Sequence, residues 1–214
     1  MNFLSCFFSI LLYITPTIFA QKDYIDLILS IGAGKSGQMS LDEYSLLLET
    51  LGKKAPCNFL VFGVGNDSKL WLEINKNGRT VFLEDSEFWL NKIRASFPLL
   101  EGYLVFYNTK RSEWKKRLAK DQQSGALMLD LPSSIKDVAW DIIFVDAPCG
   151  YSDQTPGRMK SIYTASELAK NNYSVDVFVH DCDRTVEQVY SDTFLKKENM
   201  IIQVQRLRQY RLSK

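Results

Sequence analysis

The most constraining feature of this chain is a series of short, nearly continuous apolar runs that alternate with helical stretches. The runs occupy residues 59–62, 80–83, 103–107, 141–145, 175–179 and 200–204 and are rich in Val, Ile, Leu and Phe. A strand with one wet face alternates polar and apolar side chains. A strand covered on both faces is apolar at nearly every position, as in a parallel sheet held between two helical layers. The intervening stretches 68–75, 87–96, 112–121, 157–171 and 184–196 are long enough for the helices such a sheet requires. The alternation predicts an α/β fold with a doubly wound, mostly parallel sheet flanked by helices. A final run, 206–212, reads as a charged edge strand. Ahead of the sheet, Ser40-Leu41-Asp42-Glu43 is a capping box, and Leu41, Tyr44, Leu47, Leu48 and Leu51 keep helical spacing up to Gly52. A short helix is expected over 23–30, followed by a Gly-rich loop.

The chain of 214 residues suits one domain, residues 21–214, behind an apolar leader at 1–20. Residues 3–20 carry no charge and would span roughly 27 Å as a helix, the lower limit for a bilayer core. A small residue, Ala20, precedes Gln21-Lys22-Asp23, as in a cleavable secretory signal. A short uncleaved membrane anchor fits equally, so the leader predicts entry into the secretory pathway and leaves cleavage open. With 26 Lys+Arg against 25 Asp+Glu, the net charge of +1 excludes a nucleic-acid binder acting through a basic surface. The basic stretch 110–120 is a solvated helix face or a contact for an anionic polymer such as a uronic-acid polysaccharide. Four cysteines, at 6, 57, 149 and 182, lack the paired spacing of a structural zinc site.

In open α/β sheets, ligands bind beyond the carboxyl ends of the strands, where the strand order reverses. The first apolar run is followed there by Gly63-Val64-Gly65-Asn66-Asp67-Ser68, whose glycines let backbone approach a ligand. After the second comes Glu84-Asp85, nineteen positions beyond Gly65 (65 to 84), the spacing of a carboxylate that grips a ribose diol. A dinucleotide fingerprint needs a third glycine, and Ser68 stands in its place. Asp67 would also repel a pyrophosphate. An acidic loop suits a ligand with a cationic amino-acid end and no phosphate, such as S-adenosylmethionine. Asp146 ends the fourth run, and His180-Asp181-Cys182-Asp183 follows the fifth. Asp146 can hold the cofactor's amino group, act as general base or ligate a cation. His180, the only histidine, is a candidate base, and Asp181 belongs to the same group. The same acidic set provides oxygen ligands for a divalent cation, and the sequence leaves that choice open.

At these residues the chain resembles a plant polysaccharide-biosynthesis family that includes glucuronoxylan 4-O-methyltransferases, arabinogalactan methyltransferases and irregular-xylem-15 proteins. The matching stretches are Pro56-Cys57-Asn58 through Gly65, Asp67-Ser68, and Thr80-Val81-Phe82-Leu83-Glu84-Asp85. Further on come Trp140-Asp141 through Ala147-Pro148, Gly150-Tyr151, Pro156-Gly157-Arg158-Met159, and Val177-Phe178-Val179-His180-Asp181 with Asp183-Arg184. The resemblance implies a Rossmann-like class I methyltransferase fold and a Golgi enzyme that moves a methyl group from S-adenosylmethionine to O4 of glucuronic acid on xylan. Arabinogalactan as acceptor, or a non-catalytic role in xylan assembly, are the alternatives the same family allows. Carried onto this sequence, the resemblance makes Gly63, Gly65, Asp67 and Ser68 the cofactor loop and Glu84 the ribose ligand. Asp146 falls at the methyl-transfer centre with His180 and Asp181, and Arg158 and Tyr151 fall to the acceptor. The family's segment corresponding to 111–130 is longer and contains additional cysteines. Two further expectations follow: a Cys149–Cys182 disulfide, and glycosylation of Asn172 within Asn172-Tyr173-Ser174 rather than of Asn66 within the loop.

Overall fold

The computed structural model describes residues 26, 28–30, 34, 38–121 and 124–213. The leader lies outside them, as does half of the expected helix over 23–30; its described residues, 26 and 28–30, are helical. Among the described residues no helix is long and apolar enough to cross a membrane.

The first full element is helix α1 (Leu41–Lys54), and Ser40 caps it as the sequence predicts. Ser40 Oγ accepts from the Glu43 amide at 3.3 Å, and Glu43 Oε2 accepts from the Ser40 amide at 2.6 Å. The helix does not stop at Gly52. It runs to Lys54, because Gly52 keeps a helical backbone and Pro56, two residues beyond the end, has no amide hydrogen to extend it. Strands β1 (Asn58–Phe62), β2 (Arg79–Glu84), β3 (Glu101–Leu104), β4 (Ile142–Val145) and β5 (Ser174–Val179) follow, joined by parallel pairing. Helix α2 (Ser68–Ile74) connects β1 to β2, α3 (Glu87–Ser96) connects β2 to β3, and α4 (Trp114–Asp121) and the short α5 (Ser133–Lys136) lie between β3 and β4. Helix α6 (Met159–Leu168) leads into β5, and α7 (Thr185–Ser191) leads out of it toward β6 (Met200–Val204) and β7 (Leu207–Ser213).

The sheet order is β3-β2-β1-β4-β5-β7-β6, with only β7 antiparallel to the parallel block, and β6 antiparallel to β7. The last run is therefore not an edge strand. It lies between β5 and β6, and two of its arginines pair with carboxylates of the fold, Arg208 in the interior and Arg211 from a half-exposed position. Arg211 pairs with the fully buried Asp176 at 2.9 Å, and Arg208 pairs with Asp192 at 3.0 Å. The exposed edge is β6, where Ile201 and Ile202 face solvent. The third run is shorter than expected. The strand begins at Glu101, two residues before the expected run, and after Leu104 only the Val105 amide still reaches β2, donating to Glu84 O at 2.8 Å.

Successive side chains of each central strand enter opposite layers, so the apolar runs are continuous because both faces are covered. Phe59, Val61, Ile142 and Phe144 pack under α1, α2 and α3. Leu60, Phe62, Ile143 and Val145 pack against α6, α7 and the segment around Leu127–Ile135. At the centre of the first layer sits Trp71, fully buried, with ring centroids 6.1 Å from Phe59, 5.9 Å from Phe144 and 5.9 Å from Tyr44. Trp71→Ala should cost about 3–5 kcal/mol through lost burial and the cavity left behind, measurable as a lower denaturant midpoint at unchanged m-value.

Candidate active site

The strand order reverses between β1 and β4, so the loops leaving these strands diverge and open a cleft of about 450 Å³ at the carboxyl rim. The loop after β1 forms its floor. Gly63 has φ +114°, a left-handed conformation, and a Cβ there would lie 3.1 Å from Ala147 Cβ. Glycine thus lets the loops after β1 and β4 touch. A Cβ on Gly65 would lie 3.0 Å from a carboxylate oxygen of Asp67. Ser68 closes the turn, its Oγ accepting from the Gly65 amide at 3.0 Å while its own amide donates to Gly65 O at 3.1 Å. Asp67 makes no capping bond to α2, so its half-buried carboxyl is left to line the cleft. Burial, aided by the charge of Asp146, pushes that carboxyl up to about 7.

Glu84 ends β2 at the opposite wall and is buried. Its Oε2 accepts from the Val64 amide at 2.7 Å and its Oε1 from the Ser86 amide at 2.8 Å. One carboxylate therefore ties the β1 loop to the β2 loop. Burial raises this carboxyl above the ordinary carboxyl range, and Asp85 also bears on it. The spacing read from the sequence thus becomes a contact between two adjacent strand ends. Asp85, Ser86, Trp89 and Cys149 also line the cleft, and sequence reasoning assigned them no role there. Trp89 could have been found from its place one turn into the helix that starts at the rim.

Beyond β4 and β5 the predicted catalytic group divides. Asp146 lines the cleft with about a third of its side chain exposed. His180 is buried behind it, Nδ1 at 2.8 Å from Asp146 Oδ1. On its other side Nε2 lies 3.7 Å from Oε1 of Glu43, a fully buried carboxylate brought from α1. Burial alone would lower His180, but the two flanking carboxylates outweigh it and hold the imidazole up at about 9. The effect on Glu43 is reciprocal. Burial raises it, and His180 with the Ser40 and Arg206 amides more than reverses that, leaving it at about 2. Asp146 is likewise raised by burial and brought below the ordinary carboxyl range by His180 and Arg158. These carboxylates favour the cationic imidazole, and His180 lies behind Asp146 without lining the cleft.

Asp181 and Arg158 also differ from expectation. Asp181, 4% exposed and at φ +60°, accepts from Arg158 at 2.6 Å, Arg184 at 2.9 Å and Arg206 at 3.0 Å. Arg158 and Arg184 share its Oδ2 and Arg206 takes its Oδ1, and the residue does not line the cleft. Arg158, expected at the acceptor carboxylate, is 4% exposed because Gly157, at φ +68°, turns it inward. It bridges Asp146 at 3.0 Å and Asp181 at 2.6 Å and donates to His180 O at 2.8 Å. The ligand atoms of Asp146, His180 and Asp181 lie within 4.8 Å of one another, the spacing of a cation site. The Arg158 guanidinium already occupies the position between the carboxylates, so these residues as arranged do not fit a divalent ion. Tyr151 is 74% exposed on the loop after β4.

Two lesser expectations change. Cys149 is an exposed free thiol and Cys182 a buried one, so the disulfide is not formed. The Asn172 amide nitrogen donates to Trp140 O at 3.1 Å and Asp141 Oδ1 at 3.3 Å, so the atom a glycan would need is engaged inside the fold.

An open sheet of this order, with a two-glycine loop after β1, a glutamate at the end of β2 and an aspartate after β4, has the Rossmann-like class I methyltransferase fold. The O-methyltransferase from Bacillus cereus, solved in complex with SAH, superposes with a TM-score of 0.53 at 12% identity, over 90% of this chain and 91% of that one. The IRX15/IRX15L/GXM family profile matches residues 42–210, and the chain belongs to that family. It is 41% identical over 191 residues to glucuronoxylan 4-O-methyltransferase 2 of Arabidopsis thaliana, covering 82% of this chain and 66% of the relative. Arabinogalactan O-methyltransferase 2 from the same plant is 34% identical over 190 residues, covering 79% and 65%, and protein IRX15-LIKE is 36% identical over 200 residues, covering 84% and 63%. The chain spans about two thirds of the length of these curated relatives.

The His180 arrangement sets a pH signature. A folded pKa raised from 6.5 to about 9 stabilises the fold fully below pH 6.5, and that contribution disappears as pH rises through about 9. The melting-temperature gap between the natural chain and His180→Gln should be widest below pH 6.5 and close toward alkaline pH. An unchanging gap across that range in calorimetric scans would show that His180 is neutral in the fold.

Proposed function

We propose that this chain is an S-adenosylmethionine-dependent O-methyltransferase acting on glucuronic acid side chains of a cell-wall polysaccharide, with O4 of the glucuronate on glucuronoxylan as the preferred acceptor site. The observation that carries this reading is the Glu84 carboxylate, fixed between the amides of Val64 and Ser86 at the rim of the cleft. A glutamate so placed accepts from the two hydroxyls of a ribose, while the cleft volume falls within the range of small-molecule sites. Family membership supports the same reaction class. The higher identity to the glucuronoxylan enzyme than to the arabinogalactan enzyme favours xylan. The apolar run at 3–20 supports entry into the secretory pathway and a Golgi location, with membrane attachment if the run is retained.

When bound, S-adenosylmethionine supplies an electrophilic methyl group on a sulfonium. Glu84 would hold its ribose, and Gly63 and Gly65 would let backbone approach it. Asp67 and Asp146 would face its cationic end. Asp146 is ionised at neutral pH because His180 and Arg158 hold it so, which makes it a strong electrostatic partner and a weak proton acceptor. The chain's contribution to rate is then chiefly alignment of acceptor oxygen and methyl donor in a site of fixed charge.

Titration calorimetry tests this reading. S-adenosylmethionine should bind the natural chain, and Glu84→Ala should weaken binding by at least about tenfold through loss of the diol contacts and of the loop they brace. Absence of binding by the natural chain at millimolar cofactor would favour the non-catalytic reading. Cofactor affinity should also rise with pH through about 7, as Asp67 ionises, and Asp67→Asn should remove that rise. Asp146→Asn should abolish methyl transfer to a glucuronoxylan oligosaccharide and lower the melting temperature, because it leaves His180 and Arg158 without their shared anion.

A further inference from the structure

A second concavity, of about 640 Å³, lies beyond the loop that follows β4. Its walls come from three places: Arg111, Trp114 and Lys115 from the segment after β3, Asp153 from the loop after β4, and Asp183 and Arg184 from the turn after β5. The first cleft is built on the ends of β1, β2 and β4, at the point where strand order reverses, and this one lies beside it on the loop after β4 and the turn after β5. Cys149 lines the first cleft, and a Cβ on Gly150, the next residue, would lie 3.4 Å from Nη1 of Arg184 in the second.

Three cations stand in this concavity against two carboxylates. Arg184 is held at 2.9 Å by Asp181, the same carboxylate that holds Arg158 against Asp146. It is thus oriented by the network that fixes the reacting end of the first cleft. Arg111 pairs at 2.7 Å with Asp153, whose side chain is 67% exposed, and so exposed a pair exchanges readily for another carboxylate. Lys115 is exposed, its Nζ 5.4 Å from the Trp114 ring centroid. Guanidinium and ammonium groups beside an indole suit an anionic sugar, with carboxylate to the cations and ring to the aromatic face. Phosphodiester polymers are a poorer match, since they demand a longer run of cations than this cleft provides.

We propose that this cleft binds the acceptor, a uronic-acid-bearing oligosaccharide, with Arg111, Lys115 and Arg184 receiving its carboxylate and Trp114 a sugar ring. The proposal rests on the methyltransferase reading for the reaction but not for binding. It gives the basic stretch 110–120 a function beyond solvation, and it assigns recognition of the acid to these residues in place of the buried Arg158.

The test uses the full chain and two probes of equal length, a xylo-oligosaccharide bearing one unmethylated glucuronic acid and an unsubstituted xylo-oligosaccharide. Direct binding is measured by calorimetry for the natural chain, Lys115→Glu and Arg111→Gln, with S-adenosylmethionine affinity as the control for folding. The acidic probe should bind more tightly than the neutral one, and each variant should weaken it by about tenfold without changing cofactor affinity. Equal binding of the two probes, or undiminished acidic-probe binding by both variants, would overturn the subsite. Binding of the acidic probe that depends on these cations but leads to no methylation would keep the subsite and remove the enzymatic reading.

Discussion

The rim of the sheet depends on one buried charge, the guanidinium of Arg158. An unpaired charge in a protein interior costs several kcal/mol, so burial of this side chain is tolerable only because Asp146 and Asp181 close around it. That demand fixes geometry across several elements. Asp146 follows β4, Asp181 follows β5, Arg158 begins α6, and Arg206 reaches Asp181 from the turn between β6 and β7. His180 continues the network to Glu43 on α1, the element that precedes the sheet. The left-handed backbone at Asp181 is held by the same contacts, since three cations converge on its carboxylate. Loss of Arg158 would leave the buried Asp181 carboxylate with only the part-exposed Arg184 and Arg206.

This arrangement divides labour among residues of one chemical type. The carboxylates at 43, 146 and 181 all contact cations, yet only Asp146 retains an open face. Its neighbours determine its charge. Because imidazolium and guanidinium both bear on one of its oxygens, Asp146 stays ionised and oriented, and the cleft presents a fixed negative potential at the end of β4. Asp67 lies across the same cleft with the opposite tendency, its carboxyl pushed up by burial and by Asp146. A cation between them would be favoured by both. The two acidic groups and the glutamate at β2 thus surround the cleft with carboxyl groups, the inverse of a phosphate-binding loop, where backbone donors converge on an anion.

Most of the fold was legible in the sequence because it is governed by local pattern. Continuous apolar runs gave the buried strands, and the helix over 87–96 was read with the bounds it has. The capping box at Ser40 was read correctly as well. The errors fall where long-range pairing overrides local character. Residues 206–212 look like an edge strand because their arginines look solvated, and only Asp176 and Asp192 in the fold make an interior position tenable. The same holds at the site. The loop 63–68 and Glu84 were visible because a strand-helix-strand unit fixes their spacing. The burial of His180, Asp181 and Arg158 was not, since it depends on Glu43 and Arg206, which lie far from them in the chain. Glu43 carried a complete local explanation as a capping residue, and its second oxygen, turned toward His180 and the Arg206 amide, has no sequence signature.

The placement of Arg158 also bears on how such an enzyme would discriminate its acceptor. A buried arginine that recognised the sugar acid directly would have to exchange Asp146 and Asp181 for a substrate carboxylate, uncovering two anions to bind one. At the partly solvated cleft the exchange is smaller. Arg111 gives up the exposed Asp153, Lys115 leaves a solvated place beside Trp114, and Arg184 can keep Nη1 on Asp181 while offering its other donors. Specificity would then reside in the segment after β3, while the buried network preserves the reacting geometry. Acceptor preference could diverge in that segment among relatives that share the rim, because the two clefts are joined through Asp181 without sharing a wall residue.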